Sequence, residues 1–194
     1  MGVPLRENSA ASRASQKRPF SGEHPKSPEP AVPIITSQRA AFLAIVLAQM
    51  HAPYRWGAKG ALVSKDGARL FDCSGLVTWA FHQVGGKDWR ATHNTDRLWA
   101  ECVPVAIAAD LQPGDLVLYG RAGHTTLHGS PPTDVDPNHV MVHVGAGVVV
   151  GASGGGSKTL TLEDAARDDA KVKAFTRVTY RPDVLGFRRL PFVS

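Results

Sequence analysis

Asp72-Cys73-Ser74-Gly75 places one of the two cysteines where a loop turns into an apolar-faced helix. From residue 73 to 84 the bulky apolar side chains are Leu76, Val77, Ala80, Phe81 and Val84, a single stripe at helical period. Asp72 is a good N-cap, and Gly85-Gly86 is a C-terminal stop. Cys73 then sits in the first turn, at the positive end of the helix dipole, where a thiolate is favoured. A nucleophile there needs a base, and Asn138-His139-Val140 opens a later strand-like run over 140–144. Cys with a distant His is the pairing of thiol-dependent acyl transfer. Spacing alone also admits an inert buried cysteine beside an unrelated histidine.

Several elements must hold that pair in place. Residues 1–37 read as a tail: Pro4, Pro19, Pro25, Pro28, Pro30 and Pro33 interrupt any helix, with Ser, Lys and Glu between them. One domain is expected over 38–194, beginning with a half-buried helix over 38–51 that Thr36 or Ser37 can cap. Residues 92–102 read as a further helix and Leu116-Val117-Leu118-Tyr119 as a strand introduced by Pro113-Gly114-Asp115. Residues 140–144 and 148–150 form a hairpin around Gly145-Ala146-Gly147. Thr161 can cap a short helix from 162 to about 172, and 178–180 with 185–190 supply the last strands. Helices first and an antiparallel sheet afterwards make an α+β domain, with the nucleophile-bearing helix packed on the sheet.

The motifs, in order, resemble the NlpC/P60 family of papain-like cell-wall cysteine peptidases. The matching pieces are Tyr54-Arg55-Trp56-Gly57, Asp72-Cys73-Ser74-Gly75-Leu76-Val77, Leu111-Gln112-Pro113-Gly114-Asp115-Leu116-Val117, His139-Val140 and Gly186-Phe187-Arg188-Arg189-Leu190, over about residues 38 to 191. The resemblance implies a papain-like domain in which Cys73 is the nucleophile and His139 the general base. It implies that Tyr54 lies beside the cysteine and that Asp72 and Ser74 help hold a substrate's free α-amine. Simpler roles stand beside these: Tyr54 as core, Asp72 as helix cap, Ser74 as a first-turn donor. Trp56 and Gly57 read as structural. The substrate implied is a peptidoglycan stem or bridging peptide, cut between D-γ-glutamate and meso-diaminopimelate or lysine. No metal or organic cofactor is implied.

Family members carry a third polar residue that orients the imidazole from the next strand, and here the match falters. The corresponding position is Gly151, which has no side chain. A backbone carbonyl near Gly151, the Ser153 hydroxyl on the same strand face, or an ordered water could stand in, and a backbone or water partner is expected. His143 shares a face with His139 but lies four residues along, too far to help.

The remaining features narrow the partners. The chain has 194 residues, 43% of them hydrophobic, enough for one real core. A net charge of +5 suits an anionic partner, and wall polymer fits better than nucleic acid, for which no basic helix, aromatic signature or zinc-finger spacing speaks. No apolar run reaches the length of a membrane span. No secretory signal is evident in residues 1–20, so either the chain is trimmed or delivery to the wall by a phage particle, lysis system or secretion machine is expected. Cys102 reads as a small core residue. Residues 151–158 lack the order of a phosphate loop and read as a flexible turn at the cleft rim. The connection 120–138, with His124, His128, Asp134 and Asp136, lacks metal spacing and reads as a polar lip. A monomer and a particle component both remain open. So do two rival readings, a degenerate wall-binding or structural protein and an amidase or acyltransferase on the same scaffold.

Overall fold

Apolar side chains at helical spacing bring the first helix onto the core. Helix α1 (Ser37–Leu47) buries Phe42 and Val46, one turn apart, together with Arg39. Strands β1 (Lys59–Leu62) and β2 (Arg69–Phe71), too short to stand out in the sequence, pair antiparallel as a small separate sheet. Helix α2 (Cys73–Gln83) follows at once and is buried from Cys73 to Phe81. Its N-cap is Asp72, whose Oδ1 accepts the Gly75 N–H at 2.6 Å, and its end is marked by Gly85 at φ +82. Helix α3 (Thr95–Glu101) is capped by Asn94, which accepts the Arg97 N–H at 3.1 Å.

The rest of the chain builds a six-stranded antiparallel sheet from β3 (Val103–Val105), β4 (Leu116–Thr125), β5 (Thr133–Gly145), β6 (Val148–Ser153), β7 (Lys171–Phe175) and β8 (Val184–Arg189). Their order across the sheet is β3-β8-β4-β5-β6-β7, and α4 (Leu162–Arg167) joins β6 to β7. Leu116, Leu118, Val140, Val142 and Val150 face the helices, meeting Phe42, Leu76, Val77 and Ala80. Val117, Tyr119, Met141 and Val149 fill the opposite face under Phe175, Val178, Tyr180 and Phe187. Burial on both faces explains why these strands read as continuous apolar runs without alternation. Each fully buried Leu, Phe or Val contributes about 1.5–3 kcal/mol.

This is the α+β architecture expected. The structure, a computed structural model, describes residues 2, 37–64, 67–125 and 133–193. By contacts the chain divides into Met1–Val32 and Pro33–Ser194, and the elements named all belong to the second unit. The expected tail over 1–37 lies outside the described residues, except for Gly2 and Ser37.

Three expectations need correction. The helix capped by Thr161 ends at Arg167, because Asp169 at φ +47 turns the chain back and Lys171–Phe175 pairs with β6. Residues 178–180 form a turn that covers the sheet, not a strand. The connection 120–138 is mostly sheet, since Gly120, Arg121 and Ala122 pair with Pro137, Asp136 and Val135. His128 lies outside the described residues. Among the described residues no helix is long and apolar enough to cross a membrane, and no group of three His, Cys, Asp or Glu could hold a metal ion.

Candidate active site

The first turn of α2 is assembled against the turn that carries Tyr54. Tyr54 N–H donates to the Ala170 carbonyl at 3.0 Å, Arg55 N–H to Phe71 at 3.0 Å and Trp56 N–H to Thr159 at 2.8 Å. The Asp72 N–H reaches the Ala58 carbonyl at 2.9 Å, drawing that turn onto the helix. The approach is close enough that a Cβ on Gly75 would collide with the Ala58 carbonyl oxygen, so the motif needs glycine there. Ser74 Oγ donates to Asp72 Oδ1 at 3.1 Å, the same atom that caps the helix.

Tyr54, Asp72, Cys73 and Ser74 are thus brought together, all buried, with Tyr54 at 2% and Cys73 at 8% exposure. The Cys73 sulfur sits among the backbone N–H groups of Val140, Ser74 and Cys73 itself. Val140 follows His139 directly, so the thiol stands at the start of the buried run of β5. His139 is 8% exposed.

Burial governs the charges. It pushes the Cys73 thiol up to about 12, with Asp72 adding to the effect and the three N–H groups opposing it. The expectation that the helix dipole favours a thiolate is therefore corrected. A lift from 9.0 to about 12 is worth about 4 kcal/mol against the anion. A helix N-terminus supplies only about 0.3–2 kcal/mol. Burial likewise draws the His139 imidazole down to about 3, assisted by Arg181 and opposed by Asp183. Tyr54 is raised by burial and by the nearby Cys73 and Asp72. Asp72 is raised by burial against the Gly75 N–H, Lys59 and Ser74. The resting pair is a neutral thiol and a neutral imidazole.

These shifts set the pH dependence of stability. His139 and His93, both lowered chiefly by burial, contribute stability that is complete above about pH 6.5 and lost below it, because the unfolded chain then binds more protons. Cys73, which is raised, has the opposite sign, and its contribution fades as pH rises through the thiol range. Between pH 6.5 and 5 the loss from His139 should approach about 1.4 kcal/mol per pH unit, and His93 adds to it with the same sign. Urea midpoints at pH 7 and pH 5 read this directly. The slope should fall in His139→Asn, and an unchanged slope would show that His139 does not carry it.

The third position is occupied by sulfur. A Cβ on Gly151 would lie 2.6 Å from Met141 Sδ and 3.3 Å from the Val140 carbonyl oxygen, so Met141 fills the space a side chain at 151 would take. Gly151→Asn is expected to lower stability by about 1–3 kcal/mol through overpacking and to leave His139 no better held. A thermal shift under one degree would show that Met141 yields freely. His139 Nε2 is buried and has no hydrogen-bond partner, so neither a backbone carbonyl at Gly151 nor Ser153 supplies the expected contact. His143 is held elsewhere: its Nδ1 donates to the Gln112 carbonyl at 3.2 Å and its Nε2 accepts the Gly147 N–H at 3.3 Å.

Four residues beside His139 escaped the sequence reading. Tyr119 packs on its ring at 5.8 Å, and Tyr180 packs on Tyr119 at 5.2 Å. Arg181 pairs with Asp183 and reaches Asn138 Oδ1 at 3.3 Å. Only the pairing of β5 with β4 and of β4 with β8 brings them there, which no local spacing reports.

The chain is 42% identical over 91 residues to a probable endopeptidase of Mycobacterium tuberculosis, covering 46% of this chain and 21% of that protein. It is 39% identical over 83 residues to a probable endopeptidase of Corynebacterium glutamicum, covering 42% of this chain and 34% of that one. The chain therefore spans about a fifth to a third of the length of these curated relatives. Among solved structures, the peptidoglycan hydrolase RipB of Mycobacterium tuberculosis aligns with a TM-score of 0.52 at 23% identity, over 81% of this chain and 66% of that one. RipD of the same organism, described as a non-catalytic NlpC/p60 domain protein adapted to peptidoglycan binding, aligns with a TM-score of 0.52 at 16% identity, over 81% of this chain and 99% of that one. The NlpC/P60 family model matches residues 51–174, from the turn before Tyr54 into β7, and the chain belongs to that family.

Proposed function

We propose that the chain is a cysteine peptidase that hydrolyses peptide bonds in the stem peptides of bacterial peptidoglycan. The observation that carries this reading is the thiol of Cys73 at the α2 N-terminus, ringed by backbone N–H groups and set at the His139–Val140 step. His139 takes the thiol proton as sulfur attacks the scissile carbonyl, then gives it to the leaving amine. Water hydrolyses the acyl-enzyme with the same base. The N–H groups of Val140, Ser74 and Cys73 favour negative charge as it develops on sulfur. Asp72, steadied by Ser74 and lying beside Tyr54, is the carboxylate available to a substrate α-amine. The bond proposed is D-γ-glutamyl to the diamino acid, and the site of action is the cell wall.

Mass spectrometry of peptidoglycan fragments incubated with wild type and with Cys73→Ala tests the reading. Cleavage by wild type alone supports it and names the bond. Cleavage by both rejects Cys73 as nucleophile. One observation favours a second reading, a wall-binding protein without catalysis: His139 Nε2 lacks the partner that would orient the ring. Under that reading neither protein cleaves any fragment, although both are folded.

A further inference from the structure

Among the described residues, His82 Nδ1, His139 Nε2 and Tyr180 Oη are the buried side-chain polar atoms without a hydrogen-bond partner. His82 belongs to the far end of α2. The other two share one side of the sheet, where both rings pack on Tyr119, at 5.8 and 5.2 Å. A buried polar atom left unpaired is costly, so two that flank one ring ask for an explanation.

The ring of Tyr180 is fixed by stacking on Phe175 at 3.8 Å and 11°. Its hydroxyl stands within reach of Ser153, without the geometry of a full hydrogen bond, and near enough to Cys73 to sense a charge there. Ser153 ends β6, and continuing the register Val142↔Val150 by three residues sets it opposite His139. Tyr180 Oη therefore reaches the row of the sheet that holds the imidazole. Met141 fills the space that a side chain at position 151 would take, so position 151 offers His139 Nε2 no partner.

We propose that Tyr180 is the positioning residue of this site, its Oη accepting a hydrogen bond from His139 Nε2–H. The proposal rests on the reading of His139 as the general base. A bond at Nε2 fixes the tautomer that leaves the Nδ1 lone pair free to take the thiol proton, and it strengthens when the ring becomes imidazolium. Hydrogen bonds of a reacting site commonly close fully only in the complex with substrate. The nearest rival is the Asp183 carboxylate, which is held by Arg181 in an ion pair.

The test is nitrogen-15 NMR of the imidazoles in wild type, Tyr180→Phe, Ser153→Ala and Asp183→Asn, with thermal unfolding and steady-state kinetics on wall fragments. Tyr180→Phe keeps the stacked ring, so its melting temperature should stay within about 3 °C of wild type. It should shift the His139 tautomer away from Nε2–H and lower kcat about 10- to 100-fold at unchanged KM. Ser153→Ala and Asp183→Asn should leave the tautomer as it is. An unchanged His139 spectrum in Tyr180→Phe, or a change confined to Asp183→Asn, overturns the proposal. If wild type cleaves no fragment, the functional reading fails by itself, and the spectrum still decides whether Tyr180 holds the imidazole.

Discussion

Cys73→Ala is expected to abolish cleavage of wall peptides, and His139→Ala to lower turnover by about 10²–10⁴-fold. The size of the second effect follows from the first-turn thiol. With its pKa pushed up to about 12, only about one Cys73 in 10⁵ is ionised at pH 7, so attack depends on a base removing the proton as the bond forms. An enzyme that stored a thiolate would lose less in acylation when its base was removed. The same electrostatics fix the pH profile. His139, drawn down to about 3, stays neutral and competent as a base far into acid, so the acid limb of kcat/KM should fall below pH 5. An ordinary imidazole would place that limb near pH 6.5. Alkylation of Cys73 by iodoacetamide should climb steadily with pH through 9, without a plateau at neutrality. An acid limb near pH 6.5, or a neutral plateau in alkylation, would establish a preformed thiolate–imidazolium pair and refute this account.

What could be read from the sequence is what local chemistry encodes. The α2 stripe, its Asp72 cap and its glycine stop lie within fifteen residues, and the helix forms where they place it. Tyr54, Asp72, Cys73 and Ser74 sit on one turn and one helix start, so their meeting was also legible. The errors arose where neighbours decide. Lys171-Val172-Lys173-Ala174-Phe175 has the alternation of a strand, but the run Arg167-Asp168-Asp169 before it holds no glycine or proline to announce the turn. The strand read over 116–119 runs on through Gly120 to Thr125, because its partner β5 continues alongside it. Val178 and Tyr180 have strand-forming side chains but spend them covering Tyr119 and Met141. The surroundings of His139 were the least legible part. They are supplied by β4 and by the segment leading into β8, some twenty residues before and forty after it, and a single sequence does not state which strands pair.

Asp115 sits in one of the motifs that carried the family resemblance, and its replacement should have the largest effect on stability. The side chain is fully buried, and both oxygens are spoken for. Oδ1 accepts from Arg39 Nη1 at 3.0 Å and Arg189 Nε at 2.8 Å; Oδ2 accepts from Arg189 Nη2 at 2.7 Å and the Gln112 N–H at 2.8 Å. One carboxylate thus ties α1 to β8 and to the turn before β4. Its own carbonyl accepts the His143 N–H at 2.8 Å, which joins that turn to β5. Asp115→Ala takes the carboxylate from the buried Arg39 guanidinium, which keeps the Pro113 carbonyl at 3.0 Å, and breaking a buried ion pair by removing one partner costs about 3–5 kcal/mol. For a domain of this size that is about 6 to 20 °C in melting temperature. Arg189 is part-exposed and can turn to water, so Arg39 carries most of the loss. Combining Asp115→Leu with Arg39→Met should therefore recover much of it, since apolar pairs often replace buried ion pairs at little cost. A melting temperature for Asp115→Ala within about 2 °C of wild type would mean that water reaches Arg39, and that the packing of Phe42 of α1 on Phe192, which in turn meets Phe81 of α2, not this ion pair, secures the helix layer over the sheet.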